Sequence, residues 1–155
     1  MQIKKEQIIL AVIIVAAILY ILFRSQDREI YQIPELSGVS QSDVSKIEIV
    51  KPDLTITLQK KDDGWFIEPQ GYLVNTFNIE SVLEVIENPT LTAMVSESKN
   101  FILYGLEAEK KITVKAWAGD NQVREFDVGK VSASFSQTFV KLADDHRVYH
   151  ARKNL

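Results

Sequence analysis

The sequence predicts an α+β protein, in which an N-terminal transmembrane helix precedes a mostly antiparallel β-sheet domain with one main packed helix. Three observations carry that reading. Residues Ile8–Phe23 form an unbroken run without a charge. From Lys46 onward, short stretches of alternating polarity are separated by turn residues. Among them lies one stretch of clear helical spacing, Ile79, Val82, Leu83 and Ile86, which share a helix face.

The sixteen-residue run reads IILAVIIVAAILYILF, with Lys4 and Lys5 before it and Arg24 after it. As a helix it spans roughly 24 Å, a little under a hydrocarbon core of about 30 Å. Lys5 and Arg24 can snorkel and Tyr20 suits the interface, which makes up the deficit. A cleaved signal peptide needs a small-x-small site after the run, and Leu22-Phe23-Arg24-Ser25-Gln26 is a poor one. A buried core helix needs a polar side, and this run is apolar all round. A bilayer anchor is therefore expected, with Ile8, Leu10, Ile14, Leu19, Tyr20 and Phe23 among its residues. Lys4, Lys5 and the free amino terminus outweigh Arg24 and Arg28 only modestly. With a short tail before the run and a long domain after it, the expected topology is single-pass in the cytoplasmic membrane. The N-terminus lies inside and the domain outside, periplasmic or extracellular.

Residues 25–43, with Pro34, Gly38 and several serines, read as a polar linker. Lys46–Val50 alternates as a strand, and Pro52-Asp53 turns the chain. Leu54–Gln59 puts Leu54, Ile56 and Leu58 on one strand face. Asp62-Asp63-Gly64 makes a hairpin loop into a third strand at Trp65–Glu68, completing a meander. Gln70–Asn75 reads as a loop. Asn75 or Asn78 caps the helix, and Asn88-Pro89 ends it, because a residue before proline avoids the α region. Leu91–Ser96 reads as a strand, and Ser98–Leu106 as a short helical turn stopped by Gly105. Lys111–Trp117 and Val123–Val128 form a hairpin around Gly119-Asp120-Asn121. After the serine-rich loop Ser132–Ser136, Thr138–Leu142 and Arg147–His150 pair around Asp144-Asp145. The expected division is tail and anchor at 1–24, linker at 25–43 and a β-rich domain at 44–152.

Composition narrows the function classes. The 155 residues are 46% hydrophobic and 25% charged, the ordinary range of a folded domain. Lys4, Lys5 and Arg24 against Glu6 give residues 1–24 a net +2, so the total of −3 leaves −5 for the remainder. An acidic domain repels a phosphate backbone, so nucleic acid is not an expected partner. The chain has no cysteine, which excludes disulfides, thiolate catalysis and Cys-type zinc sites.

Candidate chemistry is sparse, and each candidate has a plainer reading. His146 and His150 have the spacing of metal ligands on a helix. They fall on a turn and a strand, where residues four apart are about 13 Å apart, too far to chelate one ion. Asp62-Asp63-Gly64 and Asp144-Asp145 lack the oxygen ligands of a calcium loop and read as turn chemistry. Gly129-Lys130 lacks the rest of a phosphate-loop pattern. No nucleophile elbow, zinc-protease motif or Ser-His-Asp arrangement stands out by motif. No catalytic, cofactor or metal residue is therefore expected. Trp117 lies on the strand face opposite Ile112 and Val114, so it either meets a partner or belongs to a second packed layer. Tyr104 is a second candidate for partner contact.

The order of Val44-Ser45-Lys46-Ile47-Glu48-Ile49, Asp63-Gly64-Trp65, Val82-Leu83, Tyr104-Gly105-Leu106, Val128-Gly129-Lys130, Phe139-Val140 and Val148-Tyr149 resembles the bacterial family called domain of unknown function 4340. The resemblance runs over about residues 40–150 and includes the anchor. It implies a membrane-anchored domain outside the cytoplasm, in a family often encoded beside ABC-type export systems related to gliding-motility transporters. No catalytic residues are known for the family. This chain departs in its shortness, its single copy of the domain, and Phe139 where a Tyr is common. The resulting expectation is a non-enzymatic accessory domain contacting an integral-membrane transporter subunit or its cargo. The alternative is a membrane-tethered small-ligand or cell-envelope binding module.

Overall fold

The computed structural model describes residues 5–24, 33–62, 64–133 and 136–152, without the side chains at 6, 8 and 22–24. The chain divides into two compact units, Met1–Gln32 and Ile33–Leu155. The first contains helix α1, Lys5–Arg24, a 20-residue helix about 30 Å long. Leu10, Ile14, Leu19 and Tyr20 are exposed on it, whereas the side chains of Ile8 and Phe23 lie outside the described set. Among the described residues, no helix is long and apolar enough to cross a membrane.

The second unit is built on one sheet, with every described pairing antiparallel. In chain order it comprises β1 (Lys46–Lys51), β2 (Leu54–Lys61), β3 (Gly64–Glu68), β4 (Tyr72–Leu73), α2 (Thr76–Glu87), β5 (Leu91–Ser96), a 3-10 turn (Phe101–Tyr104), β6 (Ile112–Ala118), β7 (Asn121–Val131), β8 (Gln137–Leu142) and β9 (Val148–Arg152). The strand order is β4-β3-β2-β1-β6-β7-β8-β9-β5. The predicted meander and both later hairpins are present, so the α+β reading holds for this unit. The two-residue strand β4 falls where the sequence reads as a loop, because two residues carry no period. Two non-local pairings complete the sheet. β1 joins β6 with Ile47 opposite Ala116 and Ile49 opposite Val114. β5 returns from α2 to the far edge and pairs with β9.

Strand alternation puts the apolar residues on one face. Ile47, Leu58, Trp65 and Ala116 form the core at one end of the sheet with Ile79, Leu83 and Ile86 of α2. Phe126, Val140, Tyr149 and Ala151 continue it at the other end. Asn75 starts the helix, its side-chain oxygen accepting from Phe77 N at 2.9 Å, and Asn88 ends it. Residues 33–43, expected as part of a spacer, lie against this unit, with Val39 buried in its core beside Val44. Their apolar residues are too few to show a period in the sequence.

The last turn of α2 contains no basic residue, so its free carbonyls and negative dipole end need help from elsewhere. Arg124 of β7, 7% exposed, provides it. Its Nε donates to Ile86 O at 3.0 Å and its Nη2 to Glu87 O at 3.4 Å. Nη2 also donates to Ser37 O at 2.8 Å. One guanidinium thus ties strand, helix and the segment before β1 together. Burial lowers its pKa, but arginine keeps its proton at any ordinary pH. Replacing Arg124 by Met should destabilise the domain by about 2–4 kcal/mol, because buried carbonyls lose their donors. Chemical denaturation of the full chain checks this.

Candidate functional site

Three features of the second unit are built well enough to carry function. The first lies on the apolar face. Helix α2 covers the sheet incompletely and leaves a groove of about 420 Å³ between itself and strands β1, β6, β7 and β8. Val82 and Val85 form its helix wall, and Ile112, Val114, Phe126 and Val128 its floor. Those four sit in register, Ile112 opposite Val128 and Val114 opposite Phe126. Lys51 and Ser81 contribute polar groups to the lining. Thr138 of β8, 2% exposed, also lines it. The Thr138 hydroxyl has no hydrogen-bond partner among the described residues.

The second feature lies on the opposite face. Thr113 Oγ1 donates to Asp127 at 2.6 Å, and Lys111 and Lys141 flank the same carboxylate. Beyond this cluster the 3-10 turn crosses the sheet. Tyr104 packs on Phe139 with ring centres 5.0 Å apart, and Phe139 on His150 at 4.8 Å. Gly105, at φ 66°, ends the turn. The crossing requires Gly129, since a Cβ there would lie 2.2 Å from Tyr104 O and 3.0 Å from Leu106 Cγ. Gly129→Ala should lower stability by about 1–3 kcal/mol or more through overpacking and expose Tyr104 to solvent. Thermal melts read the first effect and quenching of tyrosine fluorescence the second.

The third feature is the turn before β9. The Asp145 carboxylate accepts from Arg147 N at 2.9 Å, from Arg147 Nε at 2.9 and 3.0 Å and from Tyr149 Oη at 2.5 Å. Burial works to raise its pKa. Donation from the Arg147 and Tyr149 side chains and the Arg147 backbone outweighs that and holds it well below the carboxylate range. Burial, then the hydrogen bond to Asp145 and its charge, push the Tyr149 phenol up. A carboxylate depressed in the folded state adds stability above its ordinary pKa of about 3.9 and loses it as pH falls through the folded value. Asp145→Asn should therefore destabilise at pH 7. The gap to the unsubstituted protein should shrink as pH drops below about 4, where the carboxylate's advantage is progressively lost. Denaturation midpoints across that range test it.

The residues singled out in the sequence are scattered over these features. Trp117 is half-buried, with Lys46 Nζ 3.8 Å from its ring centre, so a cation covers part of its face. Tyr104 is half-buried against Phe139, while its neighbours Ile102 and Leu103 are 70% and 57% exposed. His146 is exposed on the turn, its Nδ1 4.0 Å from Asp145, whereas His150 packs in the aromatic stack. Among the described residues, no three of His, Asp and Glu gather as metal ligands would. Asp144 and Asp145 form the turn described above. Asp62 and Gly64 flank the β2–β3 turn. Asp63, and Ser134 and Phe135 of the serine-rich loop, lie outside the described residues. Sequence reasoning missed the groove and Thr138, whose apolar companions read as ordinary core. It also missed the exposed Tyr72, Leu73 and Phe77 around β4, for which the only signal was the aromatic and aliphatic pair after Gly71.

Fold and surface define an α+β domain on a single large antiparallel sheet, with α2 packed on one face and the 3-10 turn crossing the other. The chain belongs to the family described as Domain of unknown function (DUF4340), whose model matches residues 65–155. The match begins at β3, yet β1 and β2 lie between β3 and β6 in the sheet. The matched strands are thus joined by two strands outside the matched range. No curated protein and no solved structure matches the chain.

Proposed function

We propose that the chain is a membrane-anchored, non-enzymatic accessory protein with its N-terminus inside the cytoplasm and its domain outside. In this reading the domain contacts an integral-membrane subunit of an ABC-type transport system. The observation that carries the tether is the uncharged run Ile8–Phe23 within helix α1, whose described apolar side chains from Ile9 to Ile21 are exposed. So many exposed apolar side chains on one helix are costly in water and favourable in lipid. The family resemblance supports the transporter partner. The exposed Ile102 and Leu103 beside Tyr104 supply an apolar contact, and Trp117 a second aromatic one.

A second reading, a tethered small-ligand or cell-envelope binding module, is favoured by the groove under α2. Its size lies within the range of about 300–1,000 Å³ typical of ligand pockets, and its lining is apolar with few polar groups. Expression of the tagged full chain, protease treatment of cells stripped of any outer membrane, and cross-linking before pull-down separate the readings. Cleavage of the domain together with capture of a multi-span transporter subunit is the expected outcome. A protected domain overturns the topology, and an accessible domain that captures no transporter subunit overturns the partner.

A further inference from the structure

We propose that the groove between α2 and the sheet takes a single acyl chain whose carbonyl accepts a hydrogen bond from the Thr138 hydroxyl. This rests on the binding-module reading and names its ligand class.

Two independent observations meet in the groove. The first is its lining. Floor and helix wall are aliphatic or aromatic, and Lys51 is its one charged residue. Lys51 is exposed, so its stem can extend the apolar wall while its ammonium stays in water. A ligand body seated there is neutral and apolar. The second observation is Thr138. Buried hydroxyls are nearly always hydrogen-bonded, because stripping one of water without a partner costs stability. Valine has the same shape and suits a strand equally, so the hydroxyl contributes nothing to packing. Rotation about χ1 exchanges oxygen and methyl between staggered positions and lets the oxygen meet a group seated in the groove. An ordered water is a poor answer, since it needs two to four polar partners and the floor is apolar.

The dimensions select a chain. Thr138 lies two residues along β8 from Val140, which is level with Ile112 and Val128. The strands run β1-β6-β7-β8, so Lys51 and Thr138 stand three inter-strand steps apart, about 14 Å across the sheet. Val82 and Val85 overhang the floor between them. A linear aliphatic chain crossing beneath them, with its carbonyl at Thr138, fills the space and satisfies the Thr138 hydroxyl. Of the three buried polar atoms left without a partner among the described residues, Glu107 Oε2, Thr138 Oγ1 and His150 Nε2, Thr138 Oγ1 is the one that lines the groove.

The test uses the full chain in phosphatidylcholine vesicles, the methyl ester of a photoactivatable fatty acid carrying a diazirine on its chain, and mapping of adducts to peptides. Adducts are expected on peptides from α2 and from β6–β8, displaced by methyl decanoate. Thr138→Val should lower apparent affinity by about tenfold, the scale of one lost hydrogen bond, while melting no lower than the unsubstituted protein. Val85→Phe should abolish groove labelling by filling it. Val82→Met serves as a milder filling variant should Val85→Phe not fold. Groove labelling unchanged by Thr138→Val overturns the assignment. Adducts confined to α1 overturn it too, while leaving the tether standing. Protection of the same peptides by benzene but not by methyl decanoate overturns the acyl assignment and leaves the binding-module reading in place.

Discussion

The arrangement of this domain depends on one buried cation. Arg124 reaches from the middle of β7 to the last carbonyls of α2 and to the backbone before β1. It has no carboxylate partner in that set, so its desolvation is offset by carbonyl oxygens and by the negative end of the helix dipole. Such a group fixes geometry more than it adds net stability, because any displacement leaves a charge buried without acceptors. The consequence is positional. The C-terminal end of α2 is held against β7, and the residues that precede β1 are drawn into the core, Val39 among them.

With that end fixed, a twelve-residue helix has to roof a far wider sheet. It buries Ile79, Leu83 and Ile86 and leaves the strip over β6 to β8 partly open, which is the origin of the groove. The opposite face solves its own coverage differently. Charged and hydroxyl side chains around Asp127 pair across strands, and the 3-10 turn lays Tyr104 over Phe139. One face is therefore covered by a helix and the other crossed by an irregular turn. The crossing is possible only because Gly129 has no side chain to collide with Tyr104 O.

The functional reading follows from this division of labour. The titratable groups that are strongly shifted, Asp145 and Tyr149, are paired with each other and with Arg147, which marks a structural clasp at the last turn. The buried Thr138 hydroxyl, without a partner among the described residues, lines an apolar groove instead. An apolar groove with few polar groups is the form a ligand site takes, and the proposed binding reading rests on it.

Much of the fold was legible in the sequence because its signals are local. Alternation placed most of the strands, the spacing of Ile79, Val82, Leu83 and Ile86 with Asn75 and Asn88-Pro89 bounded α2, and glycine marked the turns. The apolar run Ile8–Phe23 likewise declared itself by composition. The candidate site was not legible, for a physical reason. The groove is a space between elements, and its size depends on where α2 comes to rest, which Arg124 decides through partners 37, 38 and 87 residues away in the chain. Thr138 looked like any strand threonine until the register set it beneath that space. Sequence alone placed α2 and the strands other than the two-residue β4, with the end of β7 lying beyond the expected Val128. Tertiary structure decided the pairing of β1 with β6, the course of β5 to the far edge, the crossing at Gly129 and the position of the Thr138 hydroxyl, left without a partner among the described residues, because each is set by contacts between distant residues that no local pattern encodes.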